Sequence, residues 1–278
     1  MKTNCSIGDN VRQLCLVRDY ENEIINLKIN MIYNLSDKTI VCIGDIHGEF
    51  PTLRFTLNNY IKKFNLTNTA FIVCGDCGFF KDTLSLWKQK CRKKIDNILS
   101  LSNNELYLFR GNHDNPLWFT DNTEEIIENS QTIKVLKDYD ILESNVYGKI
   151  LIIPGAVSID RSFRIKNLDW WENEGILKLS DNELQSIEKI DVILSHSLPY
   201  FTKLSKSQLE VLESRERYLG FRLNVLSSDL EIDRQYLIKV QSFVNASQWV
   251  SGHYHISSEN ILNEVKYISL DIMEFLKL

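Results

Sequence analysis

Short β-branched runs that alternate with longer amphipathic stretches constrain this chain more than any other feature. The runs are Thr39–Gly44 (TIVCIG), Ala70–Gly75 (AFIVCG), Glu105–Arg110 (ELYLFR) and Lys149–Pro154 (KILIIP). They continue with Ile190–Ser195 (IDVILS), Gln248–Ser251 (QWVS) and Val265–Leu270 (VKYISL). Continuous apolar runs this short suit strands buried on both faces. Between them, residues 51–64, 83–100, 181–188 and 233–244 place apolar side chains at helical spacing. Pro51 in a first turn and Ser or Asp at the starts supply caps. The alternation predicts an α/β layered fold with at least partly parallel strands.

Composition narrows the class. The chain has 278 residues, 44% hydrophobic and 25% charged, which excludes a mostly disordered or fibrous protein. No apolar run approaches the roughly 18–20 residues of a membrane-spanning helix, and MKTNCSIGDNVRQ lacks the apolar region of a secretory signal. Six cysteines (5, 15, 42, 74, 77 and 91) in a chain able to bury a core are therefore expected as reduced thiols in a cytoplasm. A formal charge of −5 disfavours non-specific binding to nucleic-acid backbones without excluding a local basic groove. Residues 1–38 read as an N-terminal extension, in which LCLV and INMIY suit a hairpin or edge strands. Residues 39–278 form the main domain, with a charged, Leu-dotted helical insertion at about 200–245. The insertion reads as a solvated helix packed on the sheet, with a lid over a site as the alternative.

The residues at the end of each run carry the chemistry. Asp45, Ile46, His47 and Gly48 come after the first, and Asp76 after the second. Gly111, Asn112, His113 and Asp114 come after the third, His196 after IDVILS, and Gly252, His253, Tyr254 and His255 after QWVS. Ligands of layered α/β folds bind beyond the carboxyl ends of strands, and all five histidines fall at such ends. Asp45 and His47 are two residues apart, as are His253 and His255, so an extended segment projects each pair to one side. Three carboxylates, one amide and five imidazoles suit divalent ions such as Mn, Fe or Zn and exceed the needs of one tetrahedral ion. The residues alone reach a two-metal hydrolytic site.

The ordered series GDIHG (44–48), GD (75–76), GNHD (111–114), SHSLP (195–199) and GHYH (252–255) resembles the calcineurin-like metallophosphoesterase superfamily. The resemblance implies a layered sandwich of two mixed β-sheets flanked by helices. It also implies a metal-dependent phosphoesterase that uses a metal-activated water on a phosphomonoester or phosphodiester. Carried onto matching positions, it gives Asp45, His47 and His255 to one ion, and Asn112, His196 and His253 to a second. Asp76 would bridge them. His113 would be a general acid oriented by Asp114. The two divalent ions would be Mn, Fe, Zn or Ni.

The chain departs from parts of that superfamily. Gly75-Asp76-Cys77-Gly78 lacks the Asp-Arg-Gly of the Ser/Thr phosphatases and dinucleoside tetraphosphate hydrolases. Gly155-Ala156-Val157-Ser158-Ile159-Asp160-Arg161 with Trp170-Trp171 is similar to a bacterial and phage branch with a GAxSxDR…WW pattern. Ser158, Asp160 and Arg161 follow a strand, so Arg161 could bind substrate phosphate; a buried Asp160–Arg161 pair holding a loop is the alternative. Trp170 and Trp171 read as packing before base stacking. Cys74-Gly75-Asp76-Cys77 reads as buried thiols, not a redox or zinc pair. The basic run 88–94 reads as a solvated helix face. A small phosphorylated or nucleotide substrate is the expected partner, with no membrane and with nucleic acid less favoured. A nuclease of the same superfamily and a metal-binding scaffold without turnover are the competing functions.

Overall fold

In the strand Thr39–Ile43, Ile40 and Cys42 face one side and Val41 and Ile43 the other, and all four side chains are fully buried. A strand covered on both faces is what the unbroken apolar run predicts. The computed structural model describes residues 11–12, 31–199 and 223–278. In chain order its strands are β1 (Val11–Arg12), β2 (Ile32–Asn34), β3 (Thr39–Ile43), β4 (Thr69–Val73), β5 (Glu105–Leu108), β6 (Ile133–Val135) and β7 (Ile141–Ser144). They continue with β8 (Gly148–Ile153), β9 (Val192–Ser195), β10 (Gln248–Ser251), β11 (Ser258–Leu262), β12 (Val265–Ser269) and β13 (Phe275–Lys277). Helices are α1 (Phe50–Phe64), α2 (Lys81–Leu86), α3 (Arg92–Ser100), α4 (Leu117–Thr120), α5 (Glu124–Ile127), α6 (Asp181–Ser186) and α7 (Leu223–Val244), with a π turn, Trp87–Cys91, joining α2 to α3.

Two mixed sheets form the centre. One has the order β13-β3-β4-β5-β6 and the other β1-β2-β7-β8-β9-β10-β12-β11. Between them lies a core of alternate residues from both, including Ile40, Ile72, Tyr107, Ile152, Leu194 and Val250. The opposite faces meet helices. Val41, Phe71 and Leu106 pack on Leu53, Leu57, Trp87 and Ile95, while Leu151, Ile193 and Trp249 pack under Leu184, Leu237 and Val240. The α/β sandwich of two mixed sheets is thus the observed fold.

Local chemistry sets the helix ends. Pro51 opens α1, and Asn65 closes it in the left-handed conformation, with its N–H on the carbonyls of Ile61 and Lys62. Ser180 and Glu183 form a reciprocal capping box at α6.

All seven expected strands occur, with ends moved by at most two residues. INMIY contributes to β2, which pairs with β1 and β7; LCLV lies outside the described residues. Of the expected insertion, 200–222 lies outside them too, and the remainder is helix α7 packed on the larger sheet. The basic run needs one correction. Lys90, Lys93 and Lys94 are exposed, but Arg92 is buried, donating to the carbonyls of Ile127 and Glu128. A guanidinium that bonds two carbonyls is tied down, not solvated.

What positions the site is strand direction. β3, β4 and β5 are mutually parallel in one sheet, and β8, β9 and β10 in the other. Their carboxyl ends therefore open on one edge of the sandwich, where the loops from both sheets meet.

Candidate metal centre

Asp45 and His47 follow β3, Asp76 follows β4, Asn112 and His113 follow β5, His196 follows β9, and His253 and His255 follow β10. The structure brings these groups together. Asp45, His47, Asp76 and His255 offer ligand atoms within 4.8 Å of one another, as do Asp76, His196 and His253. Asp76 belongs to both clusters. His255 Nε2 lies 2.9 Å from Asp45 Oδ2 and 2.8 Å from His47 Nε2. On the other side, His196 Nε2 lies 3.2 Å from Asp76 Oδ1 and 2.9 Å from Asn112 Oδ1.

The surroundings hold these groups in place. His196 donates its Nδ1 proton to the Cys74 carbonyl at 2.9 Å, which turns Nε2 toward the cluster. The His253 N–H donates to Asp45 Oδ1 at 2.9 Å, and the His113 N–H to Asp76 Oδ1 at 2.7 Å. His47, Asp76, His253 and His255 all have φ between 42° and 69°, a region that non-glycine residues seldom occupy. Such strain collects at functional sites, where the surrounding structure over-determines the conformation. A Cβ on Gly252 would lie 2.0 Å from Asp45 Oδ1, and one on Gly111 2.1 Å from Asp76 Oδ1. The carboxylates occupy room that only glycine leaves.

The charge pattern calls for a cation. Asp45 and Asp76 are buried, and among the described residues neither is ion-paired to a Lys or Arg. Burial works to raise the Asp45 pKa, but the charge of His196 and hydrogen bonds from His255 and His47 bring it down to about 2. Asp76 is likewise held well below the ordinary carboxylate range, with His196 and His113 outweighing burial. Burial opposes a charge on His196, yet Asp76 and Asp45 raise it to about 9. Burial and the charge of His196 lower His253 to about 3. Positive charge is thus favoured between the two carboxylates, beside imidazole nitrogens and an amide oxygen. That donor set fits divalent metal ions.

The flanking residues are arranged differently from expectation. Asp114 does not orient the His113 ring. Its carboxylate accepts from three backbone N–H groups, those of Cys77 (3.0 Å), Phe79 (2.7 Å) and Gly111 (2.8 Å), and so ties the β4 loop to the β5 loop. Burial, aided by the charge of Asp76, raises Asp114 to about 6 against the pull of those amides. The alternative Asp160–Arg161 pair is not formed. Arg161 donates to Asp229 of α7 at 2.8 Å, while Asp160 is bonded by Arg164 at 2.9 Å. Arg164 also donates to His113 Nε2. Sequence reasoning passed over Arg164, since nothing in Asp160-Arg161-Ser162-Phe163-Arg164 distinguishes the second arginine. The short 3₁₀ turn Arg161–Phe163 is what separates the two directions.

Ser158 is buried and accepts from Asn112 Nδ2 at 3.0 Å, not at the surface where substrate would meet it. Its partner Glu174 was also missed. Trp171 is buried, and Lys166 lies over the Trp170 ring. Cys42, Cys74, Cys77 and Cys91 are free and buried, and burial raises the Cys77 thiol well above its usual range. That agrees with packing roles for the CxxC pair.

Comparison with known proteins agrees with this geometry. Residues 38–257 match the model of the calcineurin-like phosphoesterase family. The chain belongs to that metallophosphoesterase family, and it carries a His/Asp cluster suited to two metals. A dimetal phosphatase from Danio rerio superimposes with a TM-score of 0.50 at 11% identity, covering 85% of this chain and 88% of its own. The phosphopantetheinyl hydrolase PptH of Mycobacterium tuberculosis gives 0.41 at 15% identity, over 85% and 90% of the two chains. Comparison with curated proteins by sequence finds no match.

Proposed function

We propose that this chain hydrolyses a phosphomonoester or phosphodiester bond by means of water activated between two divalent ions. The observation that carries the reading is the pair of ligand clusters sharing Asp76. Asp45, His47, Asp76 and His255 would hold one ion, and Asp76, Asn112, His196 and His253 the other. Bound there, the ions would polarise the phosphoryl oxygens and lower the pKa of water. The chain's own residues do the remainder. His113 lies beside Asp76, its Nε2 3.9 Å from Asp76 Oδ2, and so borders the centre without belonging to either cluster. From there it can hand a proton to the departing oxygen. Arg164, in contact with His113 and paired with Asp160, would set its guanidinium charge beside phosphate oxygens bound there.

Mn, Fe, Zn and Ni are the candidate metals, and a small phosphorylated compound or nucleotide is the proposed substrate. A cytoplasmic location remains part of this reading. Among the described residues no helix is long and apolar enough to cross a membrane.

The test is a hydrolysis panel of monoesters, diesters, cyclic nucleotides, dinucleoside polyphosphates and DNA, run separately with Mn²⁺, Ni²⁺, Zn²⁺ and Mg²⁺. Metal-dependent cleavage of a small phosphoester is the expected result. Cleavage of DNA alone would favour the nuclease, and bound metal without any turnover would favour the scaffold.

A second test separates the two arginines. Each is paired with a carboxylate, Arg164 with Asp160 and Arg161 with Asp229, but only Arg164 contacts His113. Arg164→Lys should lower kcat/KM about 10–100-fold, the scale of one charge-assisted hydrogen bond, with metal content unchanged. Arg161→Lys should cost much less. The reverse order would give the phosphate contact to Arg161.

A further inference from the structure

Asn112 poses a problem of polarity. The two ends of a carboxamide have nearly the same shape, but only the oxygen can ligate a cation, while the NH₂ end can only donate. Something must decide which end faces the centre. Asn112, Ser158 and Glu174 are all buried, at 2%, 0% and 3% exposure, so water does not decide it.

The hydrogen bonds form a directed chain. Glu174 Oε1 accepts the Ser158 backbone N–H at 2.6 Å, and Oε2 accepts the Ser158 hydroxyl at 2.7 Å. A carboxylate has no proton to give, so it takes the single hydroxyl proton of Ser158. The Ser158 oxygen is then left as an acceptor only, and the group beside it is Asn112 Nδ2, at 3.0 Å. The NH₂ end is held there, and Oδ1 is turned to His196 Nε2 at 2.9 Å, inside the cluster. Glu174 is itself fixed, because its carbonyl accepts from Arg110 Nη1 at 2.7 Å and Arg110 is paired with Asp138.

We propose that Glu174 and Ser158 are positioning residues that set the polarity of Asn112, so that its oxygen and not its nitrogen is presented to the second ion. The inference rests on the two-ion reading of the centre and assigns a role to residues outside either ligand cluster. It gives the serine of the GAVSID segment and the distant Glu174 one shared purpose. Removing such an outer hydrogen-bond partner typically weakens metal affinity about 10–100-fold.

Glu174→Gln is the sharpest test because it preserves shape and reverses polarity. The Gln oxygen would accept the Ser158 N–H, and its NH₂ would donate to the Ser158 oxygen. The hydroxyl proton would then be released from residue 174, and pairing it with Asn112 requires the amide to flip and turn its NH₂ into the cluster. Metal-free wild type, Glu174→Gln and Ser158→Ala are each titrated with Mn²⁺ calorimetrically, with thermal unfolding of the metal-free proteins alongside. The titration is run at about pH 8, since burial raises Glu174 to about 7 and the relay needs its carboxylate. Ser158→Ala keeps the backbone bond to Glu174 and removes only the hydroxyl, so it serves even where Glu174→Gln folds poorly. The expected result is one unchanged binding event and a second weakened at least about tenfold in both variants, with metal-free unfolding close to wild type for Ser158→Ala. Two wild-type affinities in the variants, with lowered stability alone, would overturn the relay and leave Glu174 as a loop tie. A wild type that binds fewer than two ions would overturn the two-ion reading itself, and the relay with it.

Discussion

Replacing Asp76 by alanine is expected to strip both ions from the protein and lower turnover by about 10³-fold or more. Asp76 is the residue common to the two clusters. Its Oδ1 faces His196 Nε2 at 3.2 Å, and its Oδ2 faces His47 Nε2 at 3.8 Å. Without it two cations would face each other with no shared anion, so each weakens the binding of the other. Asp76→Asn is the companion variant, since it can still accept the His113 N–H while losing the charge. Both should fold, because the loop is also tied by Asp114 through three backbone amides. Elemental analysis after gel filtration gives the readout, and full metal content in Asp76→Ala would contradict the shared-ligand assignment.

His113→Asn should discriminate between leaving groups. An alkoxide is a strong base and needs a proton on departure, whereas a nitrophenolate hardly does. Alkyl phosphoester hydrolysis should therefore fall about 10²–10⁴-fold, with nitrophenyl esters much less affected and both ions retained. Burial, with a contribution from the charge of Arg164, lowers His113 to about 4 although Asp76 pulls the other way. The free protein thus holds a neutral imidazole at neutral pH. An anionic phosphate on Arg164 would offset that cation and favour protonation of His113 in the complex. Equal losses for both leaving groups, or loss of one ion, would place His113 among the ligands instead.

How much of this could be read beforehand differed by layer. The central strands were legible because both faces are covered, as Ile40, Val41, Cys42 and Ile43 illustrate. The peripheral strands were not. β11 is an exposed edge, SENIL, with little apolar pattern. It joins β12 through Asn263 and Glu264, both at positive φ, and this two-residue turn lacks the Asn-Gly signature that marks such hairpins. β6 and β13 are three residues each, too short for periodicity.

At the centre, the grouped residues were legible because each ends a strand and strand direction brings those ends together. Loop conformation was not. The family resemblance implied that Asp114 orients His113, but the folded loops set the amides of Cys77, Phe79 and Gly111 around its carboxylate. Glu174 lies sixteen residues from Ser158, across a stretch with no repeating pattern, so its contact with the centre exists only in three dimensions.

The central claim is that two ions share Asp76. Metal-free protein loaded with two equivalents of Mn²⁺ and measured by electron paramagnetic resonance tests it most directly. Ions in one shared centre lie roughly 3.5–4 Å apart, close enough for their spins to couple. The expected spectrum is the narrowed multiline pattern of an exchange-coupled pair, lost on Asp76→Ala. The simple pattern of isolated ions at two equivalents would contradict a shared centre.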